Sequence, residues 1–327
     1  MQTTYKNNQL SQVAAQVSQL LQGGASTSTA APYDKQSFLN EVFMGADEYD
    51  QLSGLLLAKK NLILQGPPGV GKTFAARRLA WAIQGSKDDS RIKIVQFHQS
   101  YCYEDFVGGF RPTATGFEAA AGVFLEFCMK AMLSPVEKFF FIIDEINRGN
   151  LSKIFGELLM LIEDDKRGTS LDHKYTTVLP VAKSLTDQGA SNYAGAFFVP
   201  ENIYIIGMMN TADRSIALMD YALRRRFAFY EIRPAFANTT FKAVAQSQNA
   251  QKLIGVIEQL NQTIENDFGS GFCIGHSYFS KAGLTADDLK RIVLFEIYPI
   301  LQEYWFEDDS KPGKAETWRD ALLQYCV

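Results

Sequence analysis

The residues best suited to chemistry form a glycine-rich run that holds one lysine and one threonine. The run reads GPPGVGKT and fits the pattern G-x-x-x-x-G-K-[ST]. In such a loop the backbone N–H groups turn inward and bind phosphate, the lysine reaches the outer phosphates, and the threonine hydroxyl binds Mg²⁺. We therefore predict that a nucleoside triphosphate binds with Mg²⁺ at Gly66, Pro67, Pro68, Gly69, Val70, Gly71, Lys72 and Thr73.

A pair of adjacent carboxylates forms the second candidate group. The apolar run 138–143 leads directly into Asp144 and Glu145. In a triphosphatase the first carboxylate lies near the bound Mg²⁺ and the second polarises the attacking water, so Asp144 is a predicted metal and nucleotide ligand and Glu145 the predicted general base. The structural alternative is that the two acids only cap a helix that begins near Asn150.

A polar segment, MNTADRS at residues 209–215, follows another apolar run at 203–208. At the tip of that strand, Asn210 is predicted to hold the water that attacks the γ-phosphate. Asp213 is predicted to share this catalytic role through the same water or a neighbouring cation. Asn, Thr, Asp and Ser are also preferred helix N-caps, so the segment could instead cap a helix over 216–223, and both interpretations can hold together.

Three consecutive arginines, Arg224, Arg225 and Arg226, precede the apolar run 227–232. A favourable interaction with the helix C-terminus would need fewer than three cations. In ring-forming ATPases, arginines at this place reach the γ-phosphate bound by the next subunit and contribute about 10³–10⁵ in rate. Arg225 and Arg226 are therefore the predicted catalytic residues that act on a neighbouring subunit.

The elements that must position these groups follow from hydrophobic patterns. Runs typical of strands buried on both faces cover residues 61–64, 92–97, 138–143, 203–208 and 227–232. Helical patterns lie between them over residues 73–84, 122–133 and 151–164. This alternation predicts a doubly wound α/β core, in which ligands bind beyond the carboxyl ends of the strands. The predicted loop, acidic pair and polar segment all lie at such ends.

The pattern changes along the chain and predicts three parts. Residues 1–32 are rich in Gln, Ser, Thr and Ala and are predicted to be a low-complexity segment and linker. Residues 33–234 form the predicted nucleotide-binding domain. Residues 235–327 form the predicted helical domain, with helices expected over 239–248, 251–267, 285–304 and 316–325.

Bulk composition limits the function classes. The net charge of −4 argues against nonspecific coating of nucleic acid, although it does not exclude a local basic channel. No apolar stretch approaches the roughly 20 residues that cross a bilayer, and the N-terminus lacks the basic and apolar regions of a secretion signal. We therefore expect a cytoplasmic protein that does not interact with membranes.

The motif strings carry a resemblance to one family. They are GPPGVGKTFAARRLA, FHQSYCYEDFVGGFRP, FFFIIDEINRGNLSKIFGELL, MNTADRSIALMDYALRRRF and GHSYF. Together they resemble the McrB family, the AAA+ GTPase subunits of type IV, modification-dependent restriction systems. The resemblance runs from about Tyr33 to the C-terminus. It implies a P-loop NTPase of the AAA+ class, with a three-layer parallel-sheet core and a C-terminal helical lid.

The resemblance also implies an activity and partners. It implies a homo-hexameric ring that hydrolyses GTP with Mg²⁺, associates with an McrC-like nuclease and translocates DNA. Relatives carry an N-terminal domain that reads modified DNA, so with only residues 1–32 before the motor we do not expect this polypeptide to recognise methylcytosine itself. The residues alone do not distinguish GTP from ATP, and the base is expected near residues 47–52.

The remaining alternatives concern the rival class and a few side chains. A MoxR-like ATPase that remodels proteins or loads cofactors would share the fold, and a non-hydrolysing scaffold would bind nucleotide without needing Glu145.

Residues 97–122 resemble the family's helix-2 insert, whose aromatics are expected to serve packing: Tyr101, Tyr103, Phe106 and Phe110. Cys273 stands where related proteins often carry a basic residue, and His276 is expected either to contact nucleotide or a neighbouring subunit or to be structural.

Overall fold

The computed structural model of the protein describes residues 30–114, 116–169, 174–179, 181, 196–212, 221–244, 248–306 and 313–326. Predictions for residues 1–29 lie outside the described residues. So do the prediction for Asp213 and most of the helix predicted over 216–223.

The central sheet has five strands, and each neighbouring pair is parallel. In spatial order they are β2 (Ile92–Gln96), β5 (Phe139–Asp144), β8 (Ile203–Asn210), β1 (Asn61–Gly66) and β9 (Ala228–Glu231). These are the five strands predicted from the apolar runs. Because all five run the same way, their carboxyl ends meet at one edge of the sheet, and β1 ends there between β8 and β9.

Both faces of the sheet are buried, as β5 illustrates. Phe139, Phe141 and Ile143 belong to the core on one face, whereas Phe140 and Ile142 belong to the core on the other. Successive side chains of a strand point to opposite faces, so a continuous apolar run is needed when helices cover both. The predicted three-layer α/β architecture follows from this pattern.

Helices cover the sheet on its two sides. They are α1 (Lys35–Glu41), α2 (Ala46–Lys59), α3 (Lys72–Gln84), α4 (Tyr103–Phe106), α5 (Val123–Met132), α6 (Leu151–Phe155), α7 (Leu158–Leu161) and α8 (Tyr221–Arg224). Short 3₁₀ turns lie at Asp89–Arg91, Ile146–Arg148 and Asp164–Lys166. A small antiparallel pair joins β6 (Thr177–Val178) to β7 (Ala196–Phe197).

The helix predicted over residues 151–164 is wrong as a single element. It is two short helices, α6 and α7, separated at Gly156, whose φ is +51°. A Cβ at Gly156 would lie 2.9 Å from the ring of Tyr103. The chain therefore turns at a residue that tolerates the left-handed conformation and leaves room for the ring.

The segment expected to resemble the helix-2 insert contains α4 and a hairpin of β3 (Gly108–Thr113) and β4 (Gly116–Ala121). Phe106 is fully buried, and Tyr101 and Tyr103 pack against the core, as expected. The packing prediction for Phe110 is wrong, since its side chain is 55% exposed. All residues of β3 from Phe110 to Thr113 are exposed, so this outer part of the hairpin lies away from the core.

The C-terminal part is helical and has its own core. Its helices are α9 (Thr239–Val244), α10 (Gln248–Phe268), α11 (Ala286–Ile292), α12 (Tyr298–Trp305) and α13 (Lys314–Leu323), with 3₁₀ turns at Ser270–Phe272 and His276–Phe279. The buried members of this core run from Phe236 to Cys326. The helix predicted over 285–304 is interrupted by a π-helical turn, Val293–Ile297, just before Pro299, which has no N–H to continue the α-helical pattern.

Within the part of the chain that the structure describes, no helix is both long and apolar enough to cross a bilayer.

Candidate nucleotide-binding site

The glycine-rich loop joins the end of β1 to the start of α3. Gly71 is the N-cap of α3 and has a φ of 73°, a left-handed conformation that glycine adopts without steric cost. This turn aims the first N–H groups of α3 at the space beyond the strand ends. Strand, loop and helix therefore have the arrangement that binds phosphate at a helix N-terminus.

Lys72 is buried against this loop, with 9% of its surface exposed. Its Nζ donates to the carbonyl oxygens of Gly66 at 2.9 Å and Pro67 at 2.8 Å, and to Oδ1 of Asn210 at 2.7 Å. Burial lowers the pKa of Lys72 to about 8, and the charges of Glu145 and Asp144 oppose this shift. The ammonium is thus surrounded by neutral oxygens that phosphate oxygens can replace.

Glu145 and Lys72 share Asn210 as a hydrogen-bond partner. Asn210 donates from Nδ2 to Oε1 of Glu145 at 2.7 Å, while Nε of Arg148 contacts the other carboxylate oxygen at 3.2 Å. The backbone of Glu145 has a φ of 50°, a conformation that is uncommon for a residue with a side chain and is often found at functional positions. The strand end therefore presents a carboxylate whose two oxygens are both held.

Asp144 and Thr73 carry side-chain oxygen atoms of the kind that Mg²⁺ prefers as ligands. Asp144 is the last residue of β5, and its Oδ1 accepts from the N–H of Glu145 at 3.0 Å. Thr73 is exposed in the first turn of α3. The alternative that the acids cap the next helix is wrong, because Asn150 is the N-cap of α6 and accepts from the N–H of Lys153 at 3.1 Å.

The two predicted arginines differ in their surroundings. Arg226 is 8% exposed, and its Nη2 lies 2.7 Å from Oε1 of Glu163. Arg225 is 69% exposed, and its Nη2 lies 3.7 Å from the same oxygen. Of this pair, Arg225 therefore lies at the surface of the chain, whereas Arg226 is buried in an ion pair with Glu163.

The lid contacts the glycine-rich loop directly, which sequence reasoning missed. The N–H of Ser277 donates to the carbonyl of Gly69 at 2.8 Å. Gly275 packs so closely that an added Cβ would lie 2.1 Å from the carbonyl carbon and oxygen of Gly69. Beside this contact, the hydroxyl of Thr211 donates to the carbonyl of Gly271 at 3.0 Å. The string GHSYF was visible in the sequence, but nothing in its spacing indicates what it meets.

His276 lies in the core of the lid, and the structure therefore favours the structural interpretation. It is 6% exposed, and its Nδ1 accepts from the N–H of Ala235 at 3.0 Å. The rings of Phe43 and Phe241 pack against it. Burial lowers its pKa to about 4. Cys273 is also buried, with its Sγ 3.7 Å from the carbonyl of Asn261, and burial raises its pKa to about 11.

Comparison with known families decides the class of the chain. Residues 61–227 match the AAA domain of the dynein-related subfamily, and residues 252–313 match the alpha-helical lid domain of McrB. The chain belongs to the AAA family. The predicted AAA+ fold with a helical lid, and the resemblance to McrB, are both confirmed.

Two relatives of this AAA protein are components of restriction enzymes. It is 45% identical over 304 residues to the type IV methyl-directed restriction enzyme EcoKMcrB subunit of Escherichia coli K12, covering 89% of this chain and 63% of that protein. It is 26% identical over 196 residues to the type II restriction enzyme BsuMI component YdiS of Bacillus subtilis 168, covering 52% of this chain and 56% of that protein. The chain thus spans less than two thirds of either relative.

Proposed function

We propose that this AAA protein is the motor subunit of an McrBC-like, modification-dependent DNA restriction complex and hydrolyses GTP with Mg²⁺. The observation that carries the hydrolytic part is the contact of Asn210 with both Lys72 and Glu145 at the carboxyl edge of the sheet. A scaffold that only binds nucleotide has no use for a carboxylate held in this way. The restriction role rests on the similarity to the two restriction components.

Each side chain has a proposed part in hydrolysis. Lys72 exchanges its neutral oxygen partners for the outer phosphates, and the loop from Gly66 to Gly71 binds phosphate through its N–H groups. Thr73 and Asp144 hold Mg²⁺, which when bound neutralises charge on the phosphates. Glu145 takes a proton from water as the water oxygen bonds to the γ-phosphorus, and the bond to the β,γ-bridging oxygen breaks to release the diphosphate. Asn210 orients that water and Glu145.

The site is completed by a second subunit in this proposal. Arg225 is 69% exposed and its ion pair with Glu163 is the longer of the two, so it is the better placed of the predicted pair to reach the γ-phosphate of a neighbour. A homo-hexameric ring, an McrC-like nuclease partner, DNA as the substrate of the assembled complex and a cytoplasmic location are proposed on the similarity to McrB. The match to the McrB lid favours this function over a MoxR-like ATPase.

The test compares GTP with ATP turnover over a range of protein concentrations, with and without the McrC-like nuclease. We expect GTP turnover per protomer to rise with protein concentration and to rise again with the nuclease. Turnover that is independent of concentration would contradict a shared site, and a preference for ATP would contradict the proposed substrate.

A substitution tests the general base. Glu145→Gln keeps the shape of the side chain and the contact with Asn210 through a neutral oxygen, so nucleotide binding should persist. The turnover should fall by about 10²–10⁴, the range for a lost general base. Glu258→Gln, at an exposed position of α10, is the matched control and should leave turnover unchanged. Unchanged hydrolysis by Glu145→Gln would remove Glu145 from the mechanism.

A further inference from the structure

The carboxylate of Glu163 contacts both of the arginines that are predicted to act on a neighbouring subunit. It lies just after α7, and one carboxylate oxygen is 2.7 Å from Arg226 and 3.7 Å from Arg225. Its side chain is 23% exposed, between the buried Arg226 and the exposed Arg225. A single carboxylate thus lies near two adjacent cations and reduces the repulsion between them.

The backbone on both sides of this ion pair is fixed by β1. Asn61, the first residue of β1, is fully buried and donates from Nδ2 to the carbonyls of Ile162 at 2.8 Å and Arg226 at 3.1 Å. Nη2 of Arg167 in turn donates to Oδ1 of Asn61 at 2.6 Å. The residue before Glu163 and the backbone of Arg226 are therefore tied to the same side chain.

We propose that Glu163 is a positioning residue that holds Arg226 inside the protomer and thereby aims Arg225 at the neighbouring subunit. This inference rests on the proposed function, in which Arg225 acts in trans. Arg225 borders an open groove of about 400 Å³ that Lys59 and three acidic residues, including Glu163, also line. The exposed guanidinium of Arg225 has room to leave its 3.7 Å contact with Glu163. The ion pair between Glu163 and the buried Arg226 meanwhile keeps the backbone next to Arg225 in place.

A pair that only stabilised the fold would act on the protomer that contains it. A positioning pair acts on the hydrolysis site of the next subunit, because that site receives Arg225. The two roles therefore differ in which subunit loses activity when Glu163 is changed, and rings of mixed composition can separate them.

The first measurement is GTP turnover by uniform rings. Glu163→Ala should lower kcat by about 10- to 100-fold with KM changed by less than about threefold, because a displacement of about 1 Å in a catalytic group costs about 10²-fold while nucleotide contacts within the protomer stay intact. Glu163→Gln keeps an acceptor for Arg226 and should retain more turnover than Glu163→Ala. Asp165→Asn is the control, since Asp165 contacts Lys166 rather than an arginine, and it should match the unaltered protein.

The deciding measurement mixes Glu163→Ala with Glu145→Gln protomers in the presence of GTP. Glu145→Gln protomers are expected to bind nucleotide without hydrolysing it and carry intact Glu163 and Arg225, so they should restore the sites of Glu163→Ala neighbours. At equal amounts, about half of those sites receive an intact arginine in a head-to-tail ring, and turnover should rise well above the sum of the separate rates. A mixture that equals that sum, or a Glu163→Ala ring with unchanged kcat, would overturn the positioning role.

The same experiment with Arg225→Ala separates the two proposals. If Arg225→Ala rings are impaired and rescued by Glu145→Gln while Glu163→Ala rings keep full turnover, Arg225 acts in trans and only the role of Glu163 is wrong. If Arg225→Ala rings keep full turnover, the trans arginine itself is wrong. Should Glu163→Ala fail to fold, the Glu163→Gln variant carries the same mixing test.

Discussion

Nζ of Lys72 donates a hydrogen bond of 2.7 Å to Oδ1 of Asn210, although 138 residues separate them along the chain. The same amide donates to Glu145, so one side chain contacts both the group that would bind phosphate and the group that would activate water. In the proposed nucleotide-bound state phosphate replaces Asn210 as the partner of Lys72, so the amide oxygen is released while the contact with Glu145 remains. Occupation of the loop is thereby linked to the environment of the base.

Asn210→Ala is expected to reduce turnover far more than nucleotide affinity. Phosphate itself supplies the oxygens that Lys72 needs, whereas no other described contact holds Oε1 of Glu145. We expect kcat to fall by about 10²-fold, as for loss of a group that orients a general base, with the dissociation constant changed less than about fivefold. Steady-state kinetics and nucleotide titration measure the two effects.

The matched control for that variant is Asn40→Ala, since Asn40 is exposed on α1, away from the glycine-rich loop, and its side chain accepts a hydrogen bond from Gln36. It should leave kcat and affinity unchanged. A drop in affinity for Asn210→Ala as large as its drop in kcat would show that Asn210 serves binding rather than catalysis.

Gly275→Ala should disrupt the contact between lid and loop. The new Cβ would lie 2.1 Å from backbone atoms of Gly69, which cannot move aside like the end of a side chain. We expect a loss of about 1–3 kcal/mol in stability, the usual cost of overpacking, together with weaker nucleotide binding. Denaturant unfolding and nucleotide titration measure these losses.

Gly255→Ala provides the comparison for that substitution. Gly255 lies within α10 and an added Cβ would meet nothing within 4 Å. Because alanine favours a helix over glycine, this variant should be more stable by up to about 1 kcal/mol. Equal behaviour of the two variants would mean that the close approach at Gly275 is not required.

The buried His276 predicts a dependence of stability on pH. Its pKa is about 4 in the folded protein against 6.5 for the ordinary side chain, so the unfolded chain binds an additional proton between these values. The stability that the neutral His276 contributes is therefore fully present above pH 6.5 and is lost as the pH falls toward 4. His276→Gln keeps an acceptor for the N–H of Ala235 but does not titrate.

The difference in pH dependence between the original protein and His276→Gln separates the contribution of His276 from that of every other titrating group. Between pH 7 and pH 5 the original protein should lose about 2 kcal/mol more unfolding free energy than His276→Gln. Urea unfolding at the two pH values measures it. Parallel losses in both proteins would mean that His276 is not held neutral by burial.

Substitutions of the two arginines are expected to lower the stability of the fold by different amounts. Arg226→Ala leaves Glu163 without its 2.7 Å partner, which should cost about 2–3 kcal/mol, less than for a fully buried pair because Glu163 is 23% exposed. Arg225→Ala removes an exposed side chain and should change stability by less than about 0.5 kcal/mol. Unfolding of the nucleotide-free protomers measures both, and the reverse order would contradict the assignment of Arg225 as the exposed arginine.

The strands were predictable because their chemistry is local. Runs such as the one that ends at Asp144 are apolar on both faces and stop at a polar residue, which a parallel strand beneath helices requires. The Lys72, Asp144 and Asn210 positions follow from the same reasoning, since each comes at or just beyond the carboxyl end of a strand. Their convergence was therefore implied once the strands were placed in one parallel sheet.

The rest depended on contacts between distant segments. Three consecutive arginines look alike in the sequence, and only the packing of Glu163 against them distinguishes Arg226 from Arg225. The approach of Gly275 to Gly69 likewise has no local pattern, because each glycine could equally belong to an ordinary turn. The break at Gly156 was missed because its cause, the ring of Tyr103, comes from another part of the chain.

The approach of Gly275 to Gly69 limits how this protein can be recombined with others. A chimera that carries the lid of another AAA protein can close on this loop only if the residue facing Gly69 also lacks a Cβ, since the space is already filled by backbone. The loop and the lid therefore have complementary surfaces. Exchanging one without the other should give a protein whose two domains fold but do not form this contact.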